Sequence, residues 1–188
     1  MPERTSAPVW KLVTVVNGSL RPMARRIEHR TRSAFDTKTV YETLVDPTYL
    51  SARLAAIGGT DARLLDHKVT GDRVEYRLRH GVDARNLPPA IRTLLGGDLK
   101  IERAETWQPD GSAYRGTVAV TIPGMPGELG ATMRLGPAGD GSELVLDGLV
   151  KIPIPLVGGR IEESVVEQIG KLLDSEHTFA EDWLAQHR

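Results

Sequence analysis

The chain predicts an α+β domain in which an antiparallel sheet of about seven strands packs against one long C-terminal helix. Three observations predict it. Segments with period-two alternation recur between turn signals from Arg26 onward. Two short helix signals stand together after the first of these segments. From Ile161 the apolar residues Val165, Ile169, Leu172, Leu173, Ala180, Trp183 and Leu184 form one stripe of 3.6-residue period, held up to Gln186. Glu162, Glu163, Glu167, Lys171, Asp174, Glu181 and Asp182 take the other sides. At 1.5 Å per residue, a helix from Arg160 to Gln186 is roughly 40 Å long and needs a partner surface of the same length.

The elements follow in order. From Arg26 to Phe35, Ile27, His29, Thr31, Ser33 and Phe35 share one phase of a strand. Asp36 stands where an N-cap would, before a helix from Thr37 to Leu44. Asp46-Pro47 restarts a second helix through Ala56, which Gly58-Gly59 ends. Strands at Leu64–Thr70 and Arg73–His80 flank Gly71-Asp72. Asn86–Gly97 is a longer excursion, with a helical turn starting at Pro88-Pro89. A meander follows: Leu99–Gln108, Ala113–Ile122, Leu129–Leu135 and Leu144–Ile152, with turns around Pro109-Asp110-Gly111 and Gly139-Asp140. Pro153, Pro155 and Gly158-Gly159 then separate sheet from helix. Residues 1–22 read as an extension apart from the domain at 23–188. They are a loosely attached tail or the product of a start placed upstream of Met23.

Composition narrows the function classes. The 188 residues fit one domain plus a tail, and a net charge of −1 gives no electrostatic case for nucleic acid or an anionic membrane. The absence of Cys excludes disulfides, thiolate catalysis and cysteine-bound metal, and it suits a reducing, cytoplasmic setting. No apolar run approaches the ~20 residues of a membrane span, and Lys11 interrupts the one candidate signal, Val9–Val16.

The paired helices after the first strand, the Glu105–Trp107 triplet ETW and the stretch GGRIEESVVEQI at Gly158–Ile169 resemble the START-like superfamily. This superfamily is also called SRPBCC or helix-grip, and includes birch-pollen-allergen-like proteins and polyketide cyclases. The resemblance covers Met23 to Arg188 and points to an uncharacterised bacterial branch. It implies a helix-grip fold, a curved sheet wrapped around the last helix that leaves an apolar cavity near the short helices. The motifs identify a fold; none is a catalytic signature.

Turn positions predict which side chains face that cavity. A turn at Gly71-Asp72 sets His67 opposite Tyr76, Leu65 opposite Leu78 and Arg63 opposite His80. A turn at Asp110-Gly111 sets Trp107 opposite Tyr114, Glu105 opposite Gly116 and Arg103 opposite Val118. A turn at Gly139-Asp140 sets Met133 opposite Leu146 and Ala131 opposite Gly148. One apolar face emerges, with Val74, Tyr76, Leu78, Ile101, Val118, Val120, Met133, Leu144, Leu146, Val150 and Ile152. On it lie the polar groups His67, His80, Arg103 and Glu105, while Gly116 and Gly148 leave room. Apolar walls with a few polar handles are what a small-molecule pocket needs. Buried Arg103 and Glu105 must pair with each other, water or a ligand.

Other chemistry has less behind it. His67 and His80 stand too far apart along their strands to share an ion, His29 lies on another strand, and no HExxH is present, so neither metal nor cofactor is expected. The chain has no G-x-S-x-G elbow, and GPAGDG at Gly136–Gly141 lacks the lysine of a phosphate loop. Acid–base chemistry through His67 with Tyr76, or Glu105 with Arg103, keeps a cyclase or hydratase as the alternative, and no catalytic residue is assigned. A structural protein with a filled core is the third reading. The expected function is binding of a small hydrophobic or amphipathic molecule by a carrier or sensor. Arg103, Glu105, His67, Tyr76, His80, Leu78, Val118, Met133 and Leu146 are the candidate contacts. Arg103→Ala is expected to weaken binding and spare the fold.

Overall fold

The computed structural model describes residues 24–86, 92–93, 96–124, 127–151 and 158–187, and side chains from residue 162 in the last segment. Strand β1 (Arg25–Ser33) leads into helices α1 (Thr37–Leu44) and α2 (Pro47–Ile57). Strands β2 (Arg63–Thr70), β3 (Arg73–Val82), β4 (Leu99–Asp110), β5 (Ala113–Thr121), β6 (Glu128–Ala138) and β7 (Gly141–Lys151) follow, then helix α3 (Gly158–Gln186). A short 3-10 turn at Ala84–Asn86 follows β3. The sheet order is β1-β7-β6-β5-β4-β3-β2, with every neighbour antiparallel. This is the helix-grip arrangement. The extension 1–22, most of the Asn86–Gly97 excursion and Ile152 lie outside the described residues.

Both short helices start where their caps demand. Asp36 accepts from the backbone N–H of Lys38 and Thr39, each at 3.0 Å, and from the Thr39 hydroxyl at 2.6 Å. Asp46 accepts from Tyr49 N at 2.8 Å, with Pro47 in the first turn, where its missing N–H costs nothing. Gly58 then caps α2.

The hairpins differ from expectation at two places. Asp110 pairs with Ala113, so the turn after β4 is Gly111-Ser112, one residue later than the sequence suggested. Trp107 therefore faces Gly116, Glu105 faces Val118 and Arg103 faces Val120. The cause is the glycine. Gly71, Gly111 and Gly139 each hold positive φ, 58°, 64° and 60°, at the first turn position, while the residues after them do not. That is the type II′ pattern, with Gly first rather than second. In β2 a bulge between Leu64 and Asp66 makes Leu64, not Leu65, the partner of Leu78, and Arg63 the partner of Arg79. The three partner changes on β5 are each by two residues, so every side chain there stays on its expected face.

The core lies between the concave sheet face and the helices. Val74, Tyr76, Leu78, Val118, Met133, Leu146 and Val150 are buried, as the facing predicts, and Ile101, Val120 and Leu144 are half-buried. Tyr49, Leu50 and Leu54 of α2 and Ala180 and Leu184 of α3 close it. Gly116 and Gly148 do not leave the room expected of them. A Cβ on Gly116 would sit 2.7 Å from Thr106 O and 2.9 Å from Trp107 Cδ2, and one on Gly148 would sit 2.6 Å from Ala131 Cβ. These glycines admit their neighbours' atoms instead of a ligand. Glu162, assigned above to the polar side of α3, is buried at 2% exposure. It stands four residues before Val166 and so falls on the apolar stripe.

Candidate functional site

Between the sheet, α2 and α3, four charged side chains are buried together. Arg103 projects from β4 to the concave face because it alternates with outward Glu102 and Ala104. Its Nη1 donates to both oxygens of Glu176 on α3, at 3.0 and 3.1 Å. Its Nε lies 2.6 Å from Glu105 Oε1 as an ion pair without an aligned hydrogen bond. Arg53 of α2 places Nη1 3.7 Å from Glu176 Oε2. Glu105 Oε2 accepts from the Tyr76 hydroxyl at 2.7 Å and from Trp107 Nε1 at 3.2 Å. Trp107 Nε1 also lies 3.3 Å from Tyr76 Oη. Two guanidiniums and two carboxylates therefore balance in a region where each residue is no more than 8% exposed.

Charge and burial set the protonation of these groups. Burial alone would raise the Glu176 carboxyl, but Arg103 and Arg53 outweigh it and hold it down at about 2. Burial disfavours the charged Arg103, yet Glu105 and Glu176 outweigh that and raise it. Burial and, after it, the Arg103 charge push the His80 imidazole down to about 4, so it is neutral at pH 7. Burial raises the Tyr49 phenol to about 12 and pushes Tyr76 well up, with Glu105 adding to the latter. All partners of Glu105 named here are donors, the pattern of a carboxylate.

A cavity of about 70 Å³ opens beside this cluster. Apolar walls come from Val40, Leu44, Met133, Leu135, Leu146 and Leu173, and the polar end from Tyr49, Arg53, Tyr76, Arg103, Glu105 and Glu176. His29, His177 and Glu181 also line it. Among the described residues, Arg53 Nε and Nη2, Tyr49 Oη and His80 Nε2 are buried without a hydrogen-bond partner. No cluster of His, Asp or Glu among the described residues could hold a metal ion. No helix there is long and apolar enough to cross a membrane.

Of the residues expected from sequence, Arg103, Glu105, Tyr76, Met133 and Leu146 meet at this cavity. Leu78 and Val118 are buried elsewhere in the core, and His80 is buried outside the lining. His67 lies on the edge strand, where its Nε2 is 2.8 Å from Val45 O and fastens the end of α1 to β2. Its ring lies parallel to that of Tyr76, with centroids 6.2 Å apart. Sequence reasoning missed Arg53, Glu176 and Tyr49. The signal was present: Glu176 is three residues after Leu173 and four before Ala180, so it interrupts the apolar stripe of α3. Arg53 interrupts the α2 stripe in the same way, between Leu50 and Ile57.

Comparison with known proteins agrees with this architecture. Residues 28–184 match the model of a family described as protein of unknown function, DUF2505. The chain is similar to the uncharacterized protein Rv0481c of Mycobacterium tuberculosis (strain ATCC 25618 / H37Rv), at 30% identity over 157 residues. The match covers 79% of this chain and 90% of the relative. Among solved structures it is similar to TTHA0849 from Thermus thermophilus, with a TM-score of 0.58 and 16% identity over 86% of this chain and 98% of that one. A STAR-related lipid transfer protein (fragment 25–204) from Xanthomonas axonopodis gives a TM-score of 0.56 and 17% identity, covering 87% and 89%. Ara h 8.0201 gives 0.54 and 11%, covering 88% and 100%. Identities this low establish the fold alone, and it is the START-like fold that the sequence resembles.

Proposed function

The chain belongs to the DUF2505 family, whose description names no activity, and from the geometry of its site we propose that it binds a small hydrophobic or amphipathic molecule between the sheet and α3, as a carrier or sensor. The observation that carries this reading is a lining that joins apolar side chains to the buried charged cluster, with donors on Arg53 that have no aligned acceptor among the described residues. An amphipathic molecule satisfies both ends at once. The likeness in fold to a lipid transfer protein supports it.

Size sets a condition. Pockets for drug-sized ligands run to about 300–1,000 Å³, against about 70 Å³ here. A ligand larger than a few heavy atoms therefore needs α3 to lift from the sheet. The stretch of α3 between the buried Glu162 and Glu176 is the part able to do so, because Val165, Val166 and Ile169 are only half-buried there, whereas Glu176, Ala180 and Leu184 are buried farther along.

A second reading has a specific observation behind it: the contacts at Gly116 and Gly148 fill space that a ligand would take, as a closed structural core would require. The enzyme reading draws less, since His67 is engaged with Val45 and the Tyr76 hydroxyl with Glu105. Native mass spectrometry of gently purified protein, followed by organic extraction, separates the first two. A stoichiometric apolar mass is the expected result. A clean apo mass, with no binding of an apolar fluorescent probe, refutes the proposal in favour of the filled core.

A further inference from the structure

The polar end of the cavity has a peculiarity in its charge. Arg53, Arg103, Glu105 and Glu176 cancel, and the neighbours Tyr49, Tyr76 and His80 are uncharged at pH 7. Yet hydrogen bonding there is unbalanced. Glu176 accepts on both oxygens and Glu105 on Oε2, with Oε1 facing Arg103 as an ion pair, while Arg53 Nε and Nη2 are buried N–H groups without an aligned acceptor among the described residues, on a residue 3% exposed. The Tyr49 hydroxyl, on the same helix and one turn earlier, is also without an aligned partner on a residue 0% exposed. Both side chains line the one small cavity.

Resting on the binding function proposed above, we infer that the polar end of the ligand is an uncharged hydrogen-bond acceptor, a carbonyl or ether oxygen, received by Arg53 Nε, Arg53 Nη2 and the Tyr49 hydroxyl. A neutral oxygen satisfies the idle donors and leaves the net charge at zero. A carboxylate, sulfonate or phosphate satisfies the same donors but leaves a net negative charge buried beside Glu105 and Glu176. Burying an uncompensated charge is far costlier than burying a paired one. The arginine at the site is thus misleading by itself. It reads as an anion receptor until its pairing with Glu176 is counted.

The test uses the full chain and two matched series, 2-alkanones of six to twelve carbons and the alkanoates of the same lengths. Binding is followed at pH 8 by the ¹H–¹⁵N resonances of the arginine Nε–H groups and the Trp107 indole. The ketones are expected to bind about 100-fold more tightly than the matched carboxylates, shifting the Arg53 Nε–H signal. Arg53→Met removes both donors and leaves the cluster with one excess negative charge, so it is expected to weaken ketone binding about tenfold while still excluding the carboxylates. Should that variant fail to fold, Tyr49→Phe removes only a hydroxyl without an aligned hydrogen bond and is expected to weaken ketone binding about fivefold to tenfold. Carboxylates binding as well as ketones overturn this inference and leave the binding function standing. Binding of neither series, together with a clean apo mass on extraction, overturns both and assigns the donors to internal water.

Discussion

Arg103 and Glu176 are predicted to be strongly coupled, and the size of the coupling can be worked from the structure. The Glu176 carboxyl lies at about 2 instead of the ordinary 4.5. At about 1.4 kcal/mol for each tenfold change in proton affinity, this corresponds to roughly 3 kcal/mol favouring its charged form in the folded state. Removing one partner of a buried pair costs about 3–5 kcal/mol, because the other charge is left without compensation. Arg103→Met leaves Glu105 without a cation and Glu176 with Arg53 alone, one excess negative charge in all, so a large destabilisation is expected where the sequence suggested that the fold would be spared. Glu176→Gln leaves the cluster with one excess positive charge. The double substitution restores neutrality, with Arg53 and Glu105 remaining, and is expected to cost about 2–3 kcal/mol less than the two single costs together. Urea unfolding followed by circular dichroism at pH 7 measures all four corners of the cycle. Costs that add to within about 0.5 kcal/mol would refute the reasoning. The same pair sets an acid limit. The unfolded carboxyl takes its proton near 4.5 and the folded one near 2, so this stabilisation is full above 4.5 and is lost as pH falls toward 2.

Further outcomes follow from single residues. His80 protonates at about 4 in the folded chain against 6.5 ordinarily. The unfolded state therefore binds the proton first as pH falls, and stability should drop by roughly 3 kcal/mol between pH 6.5 and 4; His80→Gln should flatten that part of the profile. Asp36→Ala removes three hydrogen bonds at the start of α1 and should cost about 1 kcal/mol in thermal or urea unfolding. Gly116→Ala places a methyl against Thr106 O and Trp107 and should lower the melting temperature with a change in near-ultraviolet circular dichroism. Tyr49→Phe, lacking an aligned hydrogen bond to lose, should leave the stability of the unliganded protein within about 0.5 kcal/mol.

The facing of the strands was legible because period-two alternation survives errors of register. The turn after β4 sits one residue later than its sequence suggests, yet Arg103, Glu105 and Trp107 still point inward, since the partner shift is even. What alternation cannot show is which helical residues meet them. Glu176 and Arg53 were invisible to a search that followed apolar residues along a helix and treated charges as its wet side. A charge falling on the apolar stripe, as Glu176 and Glu162 both do, is the better clue. The room beside Gly116 and Gly148 was misjudged for a related reason. A missing side chain is a void only if nothing moves in, and here Trp107, Met133 and Ala131 do.

The pairing of β1 with β7 also governs how the protein can be made. The Arg26–Asp147 ion pair joins residues 121 positions apart. With translation at about 5–20 residues per second, β1 leaves the ribosome roughly 6–24 s before β7, its neighbour among the described strands, exists. During that interval Ile27 and the backbone of β1 have no native partner to cover them. The strands β2 to β7 can zip successively as neighbouring hairpins, but α3 emerges after every strand. The sheet therefore closes before the charged cluster is sealed, which waits for α3. Nascent chains stalled before Gly141 should expose β1 to chaperones and proteases, while those carrying α3 clear of the exit tunnel should not.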